Sequence, residues 1–136
     1  MEPRKKGGAQ SEPAPPPLHE LEAEVMEELW SQGEATVRIV MEALNKRASK
    51  ERAYTTYMTI MARLHRKGVL NRRREGKTDL YTPRLNRDEF MAARARAEVD
   101  GLVAQYGDVA LSHFARQVAS LDPAHRRALQ RLARKS

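Results

Sequence analysis

Apolar residues recur at steps of three and four in three successive stretches, and past Gly68 the period changes to that of a strand. The first stretch, Leu18 to Ser31, carries Leu21, Val25, Met26, Leu29 and Trp30 at helical spacing, and Gly33 ends it. The second, Thr36 to Lys46, carries Val37, Val40, Met41 and Leu44, with Thr36 suited to cap it. The third, Thr55 to Lys67, carries Tyr57, Ile60, Met61 and Leu64, and Gly68 stops it. Val69 to Arg74 and Leu80 to Thr82, separated by Glu75-Gly76-Lys77-Thr78 and closed by Pro83, then read as a two-stranded hairpin. Val69 and Leu80 are expected to pack it on the helices. Three helices followed by a hairpin make the winged form of the helix-turn-helix.

The remainder of the chain is helical. Met91, Ala95, Val99, Leu102 and Tyr106 recur at steps of three and four up to Gly107. Leu111, Phe114, Val118 and Leu121 continue on a second helix. Asp122 caps a third, with Pro123 at its first position and Leu129 and Leu132 as its apolar residues. Three short helices with thin apolar stripes make a poor core alone, and a second copy of the same segment is the economical partner. Met91, Val99, Leu102, Tyr106, Leu111, Phe114, Val118, Leu129 and Leu132 are the expected dimer contacts. The predicted class is therefore mainly α with a small β-hairpin. The predicted order is a disordered Pro-rich tail over 1–17, a winged helix over 18–84 and a helical dimerisation domain over 85–136. The tail's Arg4-Lys5-Lys6 cluster could touch a nucleic-acid backbone, but a solvated tail is the expected reading.

Charge narrows the function. The chain carries a net charge of +7, which favours polyanionic partners. Between Lys46 and Arg87 thirteen Lys and Arg face only Glu51, Glu75 and Asp79, a local excess of ten, so everything outside that window is net negative. The absence of cysteine removes disulfides, thiolate metal sites and thiol catalysis together. The four histidines, at 19, 65, 113 and 125, have no metal-ligand spacing, and no Gly-rich phosphate loop or nucleophile triad occurs. No enzyme activity, metal or cofactor is expected. No apolar run is long enough to span a membrane, and the first residues lack the apolar core of a signal peptide, so a cytoplasmic location is expected.

A helix of about 13 residues is about 20 Å long and fits the major groove of a duplex. Thr55, Thr56, Thr59 and Arg63 occupy the outer face of the third helix. Threonine can hydrogen-bond bases or set its methyl against that of thymine. Thr55 is equally suited to capping the helix, and Arg63 is better suited to a backbone contact or salt bridge than to base readout. Tyr54, just ahead, could place its hydroxyl on a phosphate or pack. On the hairpin, alternation sends Arg72 and Arg74 to one face and Arg73 to the other. Arg72, Arg74 and Lys77 are the expected phosphate contacts, which position without specifying sequence. A protein-interaction module and an RNA-binding module are the alternatives. The clustered cations argue against the first and the 5% aromatic content against the second.

Val25-Met26-Glu27-Glu28-Leu29-Trp30, Ala53 through Leu64, Lys67-Gly68-Val69-Leu70, Glu75-Gly76-Lys77 and Leu80-Tyr81-Thr82-Pro83 resemble the BlaI/MecI penicillinase-repressor family over about residues 18–135. The Ala53-Tyr54-Thr55-Thr56 start is most similar to actinobacterial members. The resemblance implies an N-terminal winged helix, a C-terminal three-helix dimerisation domain, and repression of β-lactamase or related genes by a dimer bound to palindromic operators with TACA/TGTA half-sites. It implies that Thr55, Thr56, Thr59 and Arg63 face DNA and that Trp30 is a core residue. Two departures stand out. Several members are inactivated by cleavage of an Asn-Phe bond, but here Phe90 follows Glu89 and Phe114 follows His113. Copper-responsive relatives use C-terminal cysteines, which this chain lacks.

Overall fold

A computed structural model describes residues 14–135, so the Arg4-Lys5-Lys6 cluster and most of the expected tail lie outside the described residues. The order is α1 (Glu20–Gln32), α2 (Val37–Arg47), α3 (Tyr54–Arg66), β1 (Leu70–Glu75), β2 (Thr78–Pro83), α4 (Arg87–Tyr106), α5 (Asp108–Ala119) and α6 (Pro123–Lys135). The chain divides into two compact units, Met1–Ala95 and Arg96–Ser136. None of the described helices is long and apolar enough to cross a membrane.

Local chemistry sets the ends of α1 to α3. The Thr36 side chain accepts from the Ile39 N–H at 3.2 Å, as its N-cap position requires. Gly33 and Gly68 leave α1 and α3 with φ of 85° and 81°, values that favour glycine because it has no Cβ. α3 begins one residue before Thr55. Ala53 holds the N-cap position, so Thr55 is not the cap.

The core of the first unit is a single cluster. α1 contributes Val25, Met26 and Leu29, α2 contributes Val37, Val40 and Leu44, and α3 contributes Tyr57, Met61 and Leu64. Val69, Leu70 and Tyr81 close it from the hairpin. The strands are antiparallel, with Leu70 opposite Pro83, Arg72 opposite Tyr81 and Arg74 opposite Asp79. The expected packing residue Leu80 is only half-buried, and its neighbour Tyr81 is buried instead. The reason is a bridge outside the hairpin. Tyr81 exchanges backbone hydrogen bonds with Ala35, N to O 2.9 Å and 3.1 Å, in the loop before α2. That pairing fixes which face of β2 meets the helices.

The first unit does not stop at residue 84. Phe90, in the first turn of α4, is 3% exposed, and its ring lies 5.3 Å from that of Trp30, tilted by 55°. The Trp30 indole N–H donates to the Leu85 carbonyl at 2.9 Å. Arg94 donates to the carbonyl of Pro15, itself buried, at 2.9 Å. The end of the Pro-rich stretch is thus tied to the core. Among the expected dimer residues, Met91 belongs to this unit and is exposed.

The second unit is built differently. Gly107, at φ 59°, separates α4 from α5, and the His125 N–H donates to Asp122 Oδ1 at 2.8 Å where α6 begins. No described residue from Arg96 onward is buried. Val99, Leu102, Tyr106, Leu111, Phe114 and Leu132 are all more than half exposed, and Val118 and Leu129 are partly so.

Phe90→Ala should therefore cost about 3–5 kcal/mol, the usual loss for a truncated core aromatic. Urea unfolding followed by the fluorescence of Trp30, the single tryptophan, measures it. A loss under about 1 kcal/mol would mean that the core closes without α4.

Candidate nucleic-acid interface

α3 divides cleanly into two faces. Tyr57, Met61 and Leu64 are buried, with Ile60 packed partly against the same cluster. The opposite side carries Thr55 and Thr59, both exposed, with Thr56 half-buried at one edge. Met58, which lies at the other edge, is 44% exposed and is not a core residue. Helical spacing continues the outward line through Ala62 to Arg66, so 55, 59, 62 and 66 stand in one row. Arg66 was missed as a candidate because its place near the helix end reads as simple dipole compensation. The i, i+4, i+7, i+11 spacing from Thr55 was the available signal.

Polar anchors hold each end of this helix. At the start, Asn45 of α2 organises the turn. Its Nδ2 donates to the Arg52 carbonyl at 2.9 Å, its Oδ1 accepts from the Arg52 N–H at 3.0 Å, and the Tyr57 hydroxyl donates to Oδ1 at 2.8 Å. Tyr54 is exposed, with the Arg38 guanidinium 5.7 Å above its ring. At the far end, Lys67 Nζ lies 3.0 Å from Glu22 Oε2, with Arg63 Nη1 at 4.0 Å. Glu22 is 1% exposed, because helical spacing sets it on the buried stripe of α1 with Val25, Met26 and Leu29. Its other oxygen accepts from the His19 N–H at 3.0 Å, and the carboxylate thereby joins the start of α1 to the end of α3. Burial pushes the Glu22 carboxyl upward, but the His19 N–H and Lys67 outweigh it and hold the group below its ordinary range.

Ion pairing also sorts the cations. Arg73 meets Glu34 and Glu75, which favour its charged form. Arg74 reaches Asp79 at 3.3 Å across the strands and the Gly76 carbonyl, Arg47 meets Glu28, Arg84 donates to Gly68 and Arg87 meets Glu27. Lys46, Lys50, Arg52, Arg66, Arg72 and Lys77 have side chains with no such partner among the described residues. The excess of ten thus reduces to a smaller set of available cations: the α2–α3 turn, the end of α3 and the hairpin. Of the residues expected to touch DNA, Arg63 leans toward Glu22 and Arg74 is paired but two-thirds exposed, a surface pair that phosphate can displace at little cost. Arg72 and Lys77 are exposed on the hairpin. Among the described residues, no group of His, Asp and Glu could hold a metal ion.

The family model described as penicillinase repressor matches residues 18–135. The chain belongs to the penicillinase repressor family. It is 40% identical over 122 residues to the transcriptional regulator BlaI of Mycobacterium tuberculosis, covering 85% of this chain and 84% of that protein. It is 27% identical over 82 residues to the penicillinase repressor of Bacillus licheniformis, covering 60% and 62%. Among solved structures it is similar to the DNA-binding domain of the repressor BlaI, at 29% identity and a TM-score of 0.49, covering 55% of this chain and 89% of that one. The monomeric Bacillus licheniformis BlaI bound to the blaP half-operator gives a TM-score of 0.47 at the same identity and coverage. The fold expected from the residues, a winged helix followed by three helices, is the fold of this family member.

Glu22→Gln should destabilise the first unit by about 2–3 kcal/mol, since it leaves Lys67 without its charge partner in a half-covered site. The lowered Glu22 value means that the carboxylate stabilises the fold fully above its ordinary value of 4.5 and loses that effect as pH falls through the lowered one. Acid unfolding curves of the two proteins should differ most near neutral pH and converge at the acid end. A constant difference across the whole range would refute the assignment.

Proposed function

We propose that this family member is a transcriptional repressor that reads palindromic operator DNA as a homodimer in the cytoplasm. The observation that carries the reading is the outward row of α3, Thr55, Thr59, Ala62 and Arg66, set on the side opposite the buried stripe and accompanied by unpaired Arg72 and Lys77 on the hairpin. Thr55, Thr56 and Thr59 make the base contacts in the major groove, and the small Ala62 lets the helix approach closely. Arg66, Arg72, Arg74 and Lys77 hold phosphates, and the Tyr54 hydroxyl meets one at the start of α3. Arg63 braces the helix through Glu22 and contacts the backbone, leaving base readout to the threonines.

Dimerisation through α4 to α6 is supported by the groove between α4 and α5, about 620 Å³ and lined by Val99, Leu102, Tyr106, Leu111 and Phe114. A segment of this length with no buried residue cannot sustain itself on internal packing. Two copies that cover Val99, Leu102, Tyr106, Leu111, Phe114, Val118, Leu129 and Leu132 mutually supply the missing core. The cut that isolates the winged helix belongs after Ala95, because a cut after Pro83 would remove Leu85 and Phe90 from Trp30.

Operator binding by the dimer should weaken with salt at a log–log slope on the order of −5 to −9, from about 6–10 phosphate contacts. In gel shifts with operator, scrambled duplex and RNA, Thr56→Ala should change sequence preference, whereas Lys77→Ala should weaken all duplexes alike. The reverse pattern, or a flat salt response, would overturn the reading. Residues 1–95 should sediment as a folded monomer with much weaker operator affinity, and a dimer at that length would refute the assignment of the interface.

A further inference from the structure

The last helix carries a second cationic surface that the winged helix does not account for. Between Pro123 and Lys135 stand Arg126, Arg127, Arg131, Arg134 and Lys135, and no acid. Arg127, Arg131 and Arg134 follow one another at i, i+4 and i+7, so they share one face over a rise of about 10 Å. All five cations are exposed. Like Arg66, Arg72 and Lys77 of the first unit, and unlike Arg47, Arg73, Arg74 and Arg87, these five have no carboxylate partner among the described residues. The one nearby acid, Asp122, is engaged by His125.

This arrangement works against the helix. Like charges at i, i+4 repel. Arg126, in the first turn, meets the positive end of the dipole, and only Arg134 and Lys135 sit at the end that favours cations.

We propose that the Arg127–Arg131–Arg134 face is a second, sequence-independent contact for the phosphates of duplex DNA. The proposal rests on the operator-binding reading, because duplex DNA is the polyanion that reading supplies. Guanidinium suits phosphate oxygens, which it binds in pairs, and the face carries arginine in all three places. A membrane surface fits less well. The apolar side of α6 offers Leu129 and Leu132 without an aromatic residue, too little to insert.

The test uses the full chain and a random-sequence duplex, titrated by fluorescence anisotropy across a salt series. The variant R127Q/R131Q/R134Q should bind on the order of tenfold more weakly at low salt and lower the magnitude of the log–log slope by about 2–3 per chain. The charge-conserving R127K/R131K/R134K should keep the slope. Circular dichroism and sedimentation of both variants should match the parent. An unchanged slope in the glutamine variant overturns the proposal. So does a lysine variant that loses the slope equally, since the slope counts neutralised phosphates and lysine keeps all three charges. If the glutamine variant loses binding only to vesicles of anionic lipid, the face is a membrane contact and the proposal also falls. A parallel R72A/K77A variant separates the two readings. Weakening there with no effect at α6 leaves operator binding standing alone. An effect at α6 with none at Arg72 and Lys77 leaves this face standing and removes the winged-helix contact.

Discussion

The geometry of this protein depends on α3 having one face entirely consumed. Tyr57, Met61 and Leu64 have no accessible surface, and α1, α2 and the hairpin all close on them. Burial of that stripe, roughly 1.5–3 kcal/mol for each large side chain, leaves the helix no freedom to roll. The threonines on the far side are then directed outward by packing behind them and need no contacts of their own. On the proposed reading, the aim of the threonines that contact bases is set by the core residues behind them.

The polar groups refine what the core imposes. Asn45 at one end of α3 and Glu22 at the other are joined to it by hydrogen bonds with defined directions, which apolar packing does not supply. Glu22 is engaged chiefly by Lys67 at 3.0 Å, so that cation near α3 is structural, while Arg63, 4.0 Å away and 41% exposed, stays within reach of a partner. Counting charge along the chain therefore overstates the positive surface available to a partner.

The helices, their stops at Gly33 and Gly68, the Thr36 cap and the hairpin were legible because each rests on residues close together in sequence. The anchors were not. Glu22 and Lys67 are 45 positions apart and Asn45 and Tyr57 are 12 apart; the i, i+3, i+4, i+7 spacing of Glu22, Val25, Met26 and Leu29 sets Glu22 apart from Glu20 and Glu24, but no local signal names its partner. Leu80 and Tyr81 are adjacent and both apolar enough to face a core, so alternation alone left two registers open. Ala35, far away in sequence, decided between them. The extent of the first unit was obscured for a similar reason. Phe90 lies inside a helical period that continues into the second unit, and only its meeting with Trp30 assigns it to the first.

The Ala35–Tyr81 bridge makes the wing in effect a three-stranded fragment whose root is stitched to the loop that launches α2. A hairpin joined only through its own two ends could pivot. This one has a third point of attachment, which turns the wing and α3 into the two fixed jaws of a caliper. A duplex whose groove does not match that gap must itself deform to be gripped. Under the proposed mode of binding, sequences that bend easily at that spot are favoured over stiff ones, even where no side chain reaches a base.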